Sequence, residues 1–171
     1  MNKITIKISK LEDAKFLLNI HNIHTKSGFN LSTDLIKFKD HIEWYKKKLK
    51  ERYSKIYIGY KNKKKFGYVR FDKIKGNIFK VSIGNHPKFY GKKLGTIMLK
   101  FAMKKFISSC KPTKIISYVK KFNIRSQKCF LNNEFKNIKI IKKKELNLNK
   151  LRLKEIKIYE YKISTKQKSI R

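Results

Sequence analysis

The chain has 171 residues, enough for one domain with a hydrophobic core, and 40% of them are hydrophobic. Its formal net charge of +35 comes from 46 basic and 11 acidic residues, an excess that is typical of proteins that bind nucleic acid or anionic membranes. Only five of the basic residues are arginine and the 41 lysines are spread over every segment, so we attribute the charge to the codon bias of an AT-rich genome and expect only non-specific nucleic-acid binding.

The apolar periodicity predicts the elements of the first half of the chain. In order, they are a strand at 3–8, a helix that begins at the capping box Ser9-x-x-Glu12, a polar loop at 22–31, a helix at 40–51, and strands at 55–60, 66–71 and 78–84. Turns are predicted at 61–65 and 75–77, where lysine, asparagine and glycine interrupt the pattern.

The second half of the chain continues with alternating helices and strands. The predicted elements are a helix at 94–109, a strand at 114–119, a helix at 123–132, strands at 135–141 and 155–163, a lysine- and asparagine-rich loop at 142–154, and a disordered basic tail at 164–171. The whole chain therefore has the order β-α-α-β-β-β-α-β-α-β-β.

Metal, redox and targeting signals are missing from the sequence. Cys110 and Cys129 form no Cys-x-x-Cys pair, and His21 and His24 have no third ligand, so we expect neither a zinc site nor a disulfide scaffold. No apolar run has the length of a signal peptide or of a membrane span. These observations predict a cytoplasmic, reduced protein with no bound metal and no membrane partner.

The segment that joins the strand at 78–84 to the next helix carries the strongest functional signal. Pro87 cannot donate to a strand ladder, so the strand ends before it, and Gly91 and Gly95 bracket a short loop with little side-chain bulk. The helix that follows begins near Leu94. A loop that leads into a helix N-terminus presents unpaired N–H groups and the positive end of the helix dipole, which predicts a phosphate site.

This loop resembles motif A of the GNAT acetyltransferase superfamily, Arg/Gln-x-x-Gly-x-Gly/Ala, which binds the pyrophosphate of acetyl-CoA. The chain reads Tyr90-Gly91-Lys92-Lys93-Leu94-Gly95-Thr96, with Tyr90 where Arg or Gln is usual and Lys93 where Gly is usual. A second segment, 115–135, resembles motif B of the same family. Its matching residues are Asn123, Ser126 and Phe135, whereas Phe130 replaces the usual Tyr and Glu134 the usual Gly.

The resemblance covers roughly 3–163 and implies a single α/β domain at 1–163 with a mixed, mostly antiparallel twisted sheet flanked by helices. It implies acetyl-CoA-dependent N-acetyltransfer to a primary amine. The backbone of Ile83, Gly84 and Asn85 would pair with the pantetheine arm of acetyl-CoA. The residues expected at the pyrophosphate are Gly91, Lys92, Lys93, Leu94, Gly95 and Thr96, and Asn123 would reach the pantetheine or the thioester.

The proton path is left open by the sequence. Phe130 cannot give a proton to the leaving thiolate, so the candidates for the general acid are Tyr118, Ser126, Cys129 or water. Glu43 and Asp72 are the nearest carboxylates for a general base, although a surface acid in a lysine-rich protein is the more common role. We keep Ser126, Tyr118 and Glu43 as the catalytic candidates, with proton transfer through water as the alternative.

The acceptor is predicted from two further segments. The helix His41-x-x-Trp44 and the strand Gly67-x-x-Arg70-Phe71-Asp72 resemble those of GNAT enzymes that acetylate nucleotide-linked 4-amino sugars of pseudaminic-acid-type pathways. Arg70 would face the diphosphate, Trp44 would stack on a ring, and His41 or Glu43 would lie near the amine. A helix packed by its one tryptophan and a surface arginine would give the same pattern.

The sequence is also compatible with two other functions. One is acetylation of a protein N-terminus, and the other, from a different class, is a basic nucleic-acid-binding protein on a degenerate acetyltransferase scaffold. The expected partners are acetyl-CoA and a small amine, with no specific nucleic acid, in a monomer or a homodimer.

Overall fold

The structure of the chain is a computed structural model that describes residues 3–142 and 155–163. The predicted loop at 142–154, apart from its first residue, and the predicted tail at 164–171 lie outside the described residues. The strands are β1 Ile4–Ile8, β2 Lys55–Lys61, β3 Lys64–Lys75, β4 Ile78–Asn85, β5 Lys114–Lys120, β6 Lys136–Lys142 and β7 Glu155–Lys162. The α-helices are α1 Ala14–Lys26, α2 Phe38–Lys50, α3 Leu94–Cys110 and α4 Ile124–Leu131, and short 3₁₀ turns occupy Leu11–Asp13 and Pro87–Phe89.

The described strands form one sheet in the order β1-β2-β3-β4-β5-β7-β6. Only the β4–β5 pair is parallel; the others are antiparallel. The element order and the mixed, mostly antiparallel sheet confirm the predicted fold class. Within the described ranges, no helix combines the length and the hydropathy that a membrane crossing requires.

The start and the end of α1 differ from the prediction. The Ser9 N–H bonds to the carbonyl of Ile56, and the Asp13 carboxylate accepts the Lys10 N–H at 2.8 Å. The capping interaction therefore lies one residue later than the predicted box at Ser9 and Glu12. The predicted loop at 22–31 is wrong in its first half, because buried residues on one face, including His24 and Thr25, continue the helix to Lys26.

Helices cover both faces of the sheet. On one face α3 and α4 pack over an aromatic core, in which the rings of Phe71 and Phe106 stack with centroids 4.0 Å apart. On the other face α1 and α2 bury a smaller cluster that includes Ile20, Tyr45 and Ile58. Burial of these large side chains, each worth about 1.5–3 kcal/mol before the entropy cost, fixes both layers on the sheet.

The parallel strands β4 and β5 are paired over a short stretch only. Their register covers Ile78 with Lys114, Phe79 with Ile115, and Lys80 with Ile116, although β4 continues to Asn85 and β5 to Lys120. Beyond Lys80 the two strands separate and leave a wedge in the middle of the sheet. The first turn of α3 follows β4 closely and lies beside the wide end of this wedge.

Candidate functional site

A cavity of about 630 Å³ occupies the wedge between β4 and β5. Its wall includes Ile83 and Asn85 from β4 and Asn123 beside α4, together with Gly91, Lys93, Leu94, Gly95 and Thr96 from the loop and the first turn of α3. Two residues predicted to bind the cofactor lie outside it. Gly84 is buried against Tyr68 and Ile20 on the other face, and Lys92 is exposed, with its Nζ 5.8 Å from the ring centre of Phe89.

The loop before α3 contains two residues with a left-handed backbone conformation, which is a feature of anion-binding nests. Gly91 (φ 76°) and Lys93 (φ 54°) both lie in the left-handed region, and Lys93 is the N-cap of α3. Lysine therefore adopts the conformation that glycine favours at this motif position, at a cost of about 1 kcal/mol. Within the described residues, no acceptor is assigned to the backbone N–H groups of Lys92, Lys93, Leu94 and Thr96, so these donors are available to a phosphate.

Gly95 lines the cavity and also lies directly against β4. When the Asn85 amide is oriented to satisfy both of its neighbours, its oxygen accepts the Gly95 N–H at 3.2 Å and its nitrogen donates to the Gly84 carbonyl at 3.3 Å. A Cβ on Gly95 would meet the Asn85 side chain and lie 3.6 Å from Ile83 Cδ1. Gly95 thus allows α3 to pack closely on β4, and its N–H is not free for the pyrophosphate.

Gly95→Ala is expected to lower the free energy of unfolding by about 1–3 kcal/mol, because the added methyl group overpacks the contact between α3 and β4. Chemical denaturation of the purified protein measures this loss. Ser108→Ala, on the exposed side of the same helix, is the matched control and should change the free energy by less than about 0.5 kcal/mol. A Gly95→Ala protein as stable as the parent would contradict the packing role.

A cluster that sequence reasoning missed lies at the mouth of the cavity. His24 Nε2 is 2.8 Å from both the Asn85 carbonyl oxygen and the Tyr90 hydroxyl. Burial lowers the pKa of His24, so the ring is neutral near pH 7. The Arg125 guanidinium lies 3.9 Å from the ring centre of Tyr90 and 4.8 Å from that of Phe29. These contacts tie α1, β4, the loop and α4 together and leave a cation at the cavity mouth.

The sequence held one signal for this cluster. Arginine is rare in a chain with 41 lysines, and a planar guanidinium suits phosphate and aromatic rings better than an ammonium does. His24 lies in the last turn of α1, and its ring contacts the backbone of Asn85 at the end of β4.

The structure brings two of the three catalytic candidates to the cavity. Tyr118 and Ser126 line it, and the Ser126 N–H bonds to the side-chain oxygen of Asn123 at 3.2 Å. Tyr118 lies two residues beyond Ile116, so it shares a sheet face with Lys80 across the opening of the wedge. Glu43 lies outside both this cavity and its neighbour, is largely exposed, and pairs with Lys46 at 3.0 Å.

Neither Phe130 nor Cys129 is suited to proton transfer. Phe130 is 1% exposed and packs between the rings of Phe135 and Tyr159. Burial raises the pKa of the Cys129 thiol to about 11, which makes it a weaker proton donor than an ordinary thiol.

A second cavity, of about 390 Å³, adjoins the first. The three residues predicted to bind the acceptor, His41, Trp44 and Arg70, all line it. The two cavities share wall residues at their junction, namely His21, Tyr68, Arg70 and Lys80. A molecule in the second cavity therefore lies next to the narrow end of the wedge.

The predicted acceptor residues contact one another. The Arg70 Nε donates to Asp72 at 2.8 Å, and its guanidinium lies 5.0 Å from the centre of the Trp44 ring. His41 is buried, with its ring 5.3 Å from that of Trp44, and burial lowers its pKa. Arg70 thus lies over the Trp44 ring and is paired with Asp72.

The charge balance of the second cavity is positive. Arg70, Lys48 and Lys80 line it, against the carboxylates of Asp40 and Asp72. Asp72 already pairs with two of these cations, because Lys48 Nζ also lies 3.4 Å from its carboxylate. The excess of cations favours a ligand with an anionic group.

Solved structures of known proteins share the architecture of this chain, although the sequence similarity is low. No protein-family model and no curated protein matches the chain. A protein described as an acetyltransferase from Salmonella typhimurium, solved with its cofactor acetyl-CoA, is 15% identical with a TM-score of 0.81, over 96% of each chain.

Two further solved structures superpose nearly as well. A ribosomal-protein-alanine N-acetyltransferase from Brucella melitensis is 12% identical with a TM-score of 0.81, over 93% of this chain and 99% of that one. An acetyltransferase of the GNAT family from Streptococcus pneumoniae is 13% identical with a TM-score of 0.76, over 95% of this chain and 100% of that one. At these identities the likeness establishes the architecture, and we conclude that the chain has the GNAT fold.

Proposed function

We propose that the chain is an acetyl-CoA-dependent N-acetyltransferase that acts on a primary amine. The observation that carries this proposal is the wedge between β4 and β5. Its wide end carries the unpaired N–H groups of the α3 N-terminus, which suit a pyrophosphate. Its narrow end adjoins a second cavity that has room for an acceptor. The Arg125 guanidinium at the mouth adds a cation for a polyanionic donor.

Acetyl transfer places three demands on the residues around the narrow end. The amine must be neutral when it attacks the thioester carbonyl. It must be held close to that carbonyl, so that a C–N bond forms as the C–S bond breaks. The leaving thiolate must then take up a proton. We assign the donation of this proton to the Tyr118 hydroxyl, because Tyr118 lines the cavity at the opening of the wedge. The amine loses its proton to water, since Glu43 lies outside both cavities and the Asp72 carboxylate is already paired with Arg70 and Lys48.

For the acceptor we propose a nucleotide-linked amino sugar. The excess positive charge of Arg70, Lys48 and Lys80 suits a diphosphate, and the aromatic ring of Trp44 in the cavity wall suits a sugar ring or a base. A polyamine carries several positive charges, so the same cationic side chains would repel it. Acetylation of a protein N-terminus is the second candidate, because the Brucella melitensis protein of the same fold is a ribosomal-protein-alanine N-acetyltransferase.

A screen of CoA release tests the proposal and ranks the acceptors. The purified chain is incubated with acetyl-CoA and, in turn, a nucleotide-linked 4-amino sugar, a peptide with an N-terminal alanine, and spermidine. We expect turnover with the first and none with spermidine. Turnover with the peptide alone would replace the proposed acceptor. If calorimetry detects no acetyl-CoA binding, the chain is instead a degenerate scaffold, and a nucleic-acid-binding role would then be favoured.

Trp44→Ala is expected to raise the acceptor KM roughly tenfold with little change in kcat, because it removes a stacking surface that binds the ground state and the transition state equally. Arg70→Ala should act in the same way. Arg70→Lys is its matched control, since it keeps the charge and loses the planar fork. Calorimetry should give an unchanged affinity for acetyl-CoA in all three proteins. Parental acceptor kinetics in both alanine variants would contradict the assignment of the second cavity.

A further inference from the structure

Lys80 lies at the junction of the two cavities and at the point where β4 and β5 separate. It forms the last β4–β5 pair, with Ile116, so it lies at the apex of the wedge. Its side chain lines both cavities. Asn85, near the loop before α3, is five residue steps of extended strand from Lys80, a distance of about 17 Å. An extended donor with its pyrophosphate at α3 and its arm along β4 therefore directs its reactive end toward Lys80.

The Lys80 ammonium is poorly compensated where it lies. Its cross-strand neighbour is Asp72, but Arg70 and Lys48 already engage that carboxylate at 2.8 and 3.4 Å. No ion pair links Lys80 to a carboxylate in the described part of the chain. Burial lowers the pKa of Lys80, and nearby Arg70 and Lys48 lower it further against the opposing effect of Asp72. A larger fraction of this amine is neutral, and hence nucleophilic, than of an exposed lysine.

We propose that Lys80 is an intramolecular acetyl acceptor, so that the chain acetylates itself at this position when the donor is bound and no external amine is present. This inference rests on the proposed function, because the donor is acetyl-CoA. The Lys80 Nζ lone pair attacks the thioester carbonyl, a C–N bond forms, and the C–S bond breaks. The nitrogen loses one proton, and the leaving thiolate is protonated, which gives N-acetyl-lysine and CoA.

Acetylation of Lys80 changes the junction of the cavities. It removes one of the three positive charges that face the second cavity and adds a neutral group at the narrow end of the wedge. An external amine bound in the second cavity competes with Lys80 for the same thioester. The modification therefore accumulates when the donor is present and the acceptor is scarce.

The test compares Lys80 with a surface lysine in the same molecule. The full chain is incubated with isotope-labelled acetyl-CoA without an acceptor, and peptide mass spectrometry follows the label at Lys80 and at Lys75, which is exposed on β3. We expect Lys80 to be labelled at least roughly tenfold faster, because the bound donor acts at a high effective concentration. An excess of CoA should suppress labelling at Lys80 and leave Lys75 unchanged, since Lys75 reacts with the donor in solution.

Two controls separate this inference from the proposed function. Lys80→Arg keeps the charge and removes the acetylatable amine, so fast labelling should disappear without moving to another lysine. Calorimetry measures acetyl-CoA binding independently. If acetyl-CoA binds but Lys80 is labelled no faster than Lys75, the inference is overturned and the proposed function stands. If acetyl-CoA does not bind, both the inference about Lys80 and the proposed function are wrong.

Discussion

Tyr118→Phe is expected to lower kcat for acetyl transfer by about 100-fold to 10,000-fold, the range typical of a general acid. The substitution removes only the hydroxyl, and the ring continues to line the cavity at the opening of the wedge. Phe130 has no proton to give, and burial raises the pKa of the Cys129 thiol to about 11, which makes it a weak acid. Steady-state kinetics with the acceptor identified by the screen measures the loss.

The controls for Tyr118 distinguish proton transfer from packing. Acetyl-CoA affinity, measured by calorimetry, should be the same in the Tyr118→Phe variant and in the parent. Tyr60→Phe, on β2 and outside both cavities, should leave kcat unchanged. If Tyr118→Phe is fully active, the proton comes from Ser126 or water, and Ser126→Ala then separates these two sources.

Thr96→Glu is expected to weaken acetyl-CoA binding by on the order of 100-fold or more. Thr96 is in the first turn of α3 and lines the cavity. Two like charges about 4 Å apart near a protein surface repel by about 4 kcal/mol, so a carboxylate here opposes the pyrophosphate. The same carboxylate is favourable for the helix, because it interacts with the positive end of the dipole. The fold should therefore be retained.

Thr96→Gln is the matched control for this charge. It has nearly the same size and shape as glutamate but no charge, so we expect a much smaller loss of affinity. The affinity of Thr96→Glu should also recover in part at high salt, which screens the repulsion. Equal affinities in the glutamate and glutamine variants would show that the pyrophosphate does not lie at the α3 N-terminus.

The sequence by itself determined the order and type of the elements. Apolar residues repeat with a period of two in the strands and at helical spacing in the helices, and this local pattern depends only on which side chains must face the core. It also located the loop that leads into α3, because Pro87, Gly91 and the start of α3 are neighbours in the chain. The end of α1 was missed because residues such as Asn22 and His24 weaken the apolar pattern in a helix that tertiary contacts extend.

Only the tertiary structure decided how distant residues combine into a site. The separation of β4 from β5 is a property of strands that are far apart in sequence, so no local pattern shows that Lys80 lies at the apex or that Tyr118 faces it. The role of Gly95 depends on the approach of Asn85 from β4. His41, Trp44 and Arg70 come together from a helix and a strand, and Glu43 of the same helix turns outward to Lys46. Such contacts are set by the packing of whole layers on the sheet, which the local periodicity of a chain does not encode.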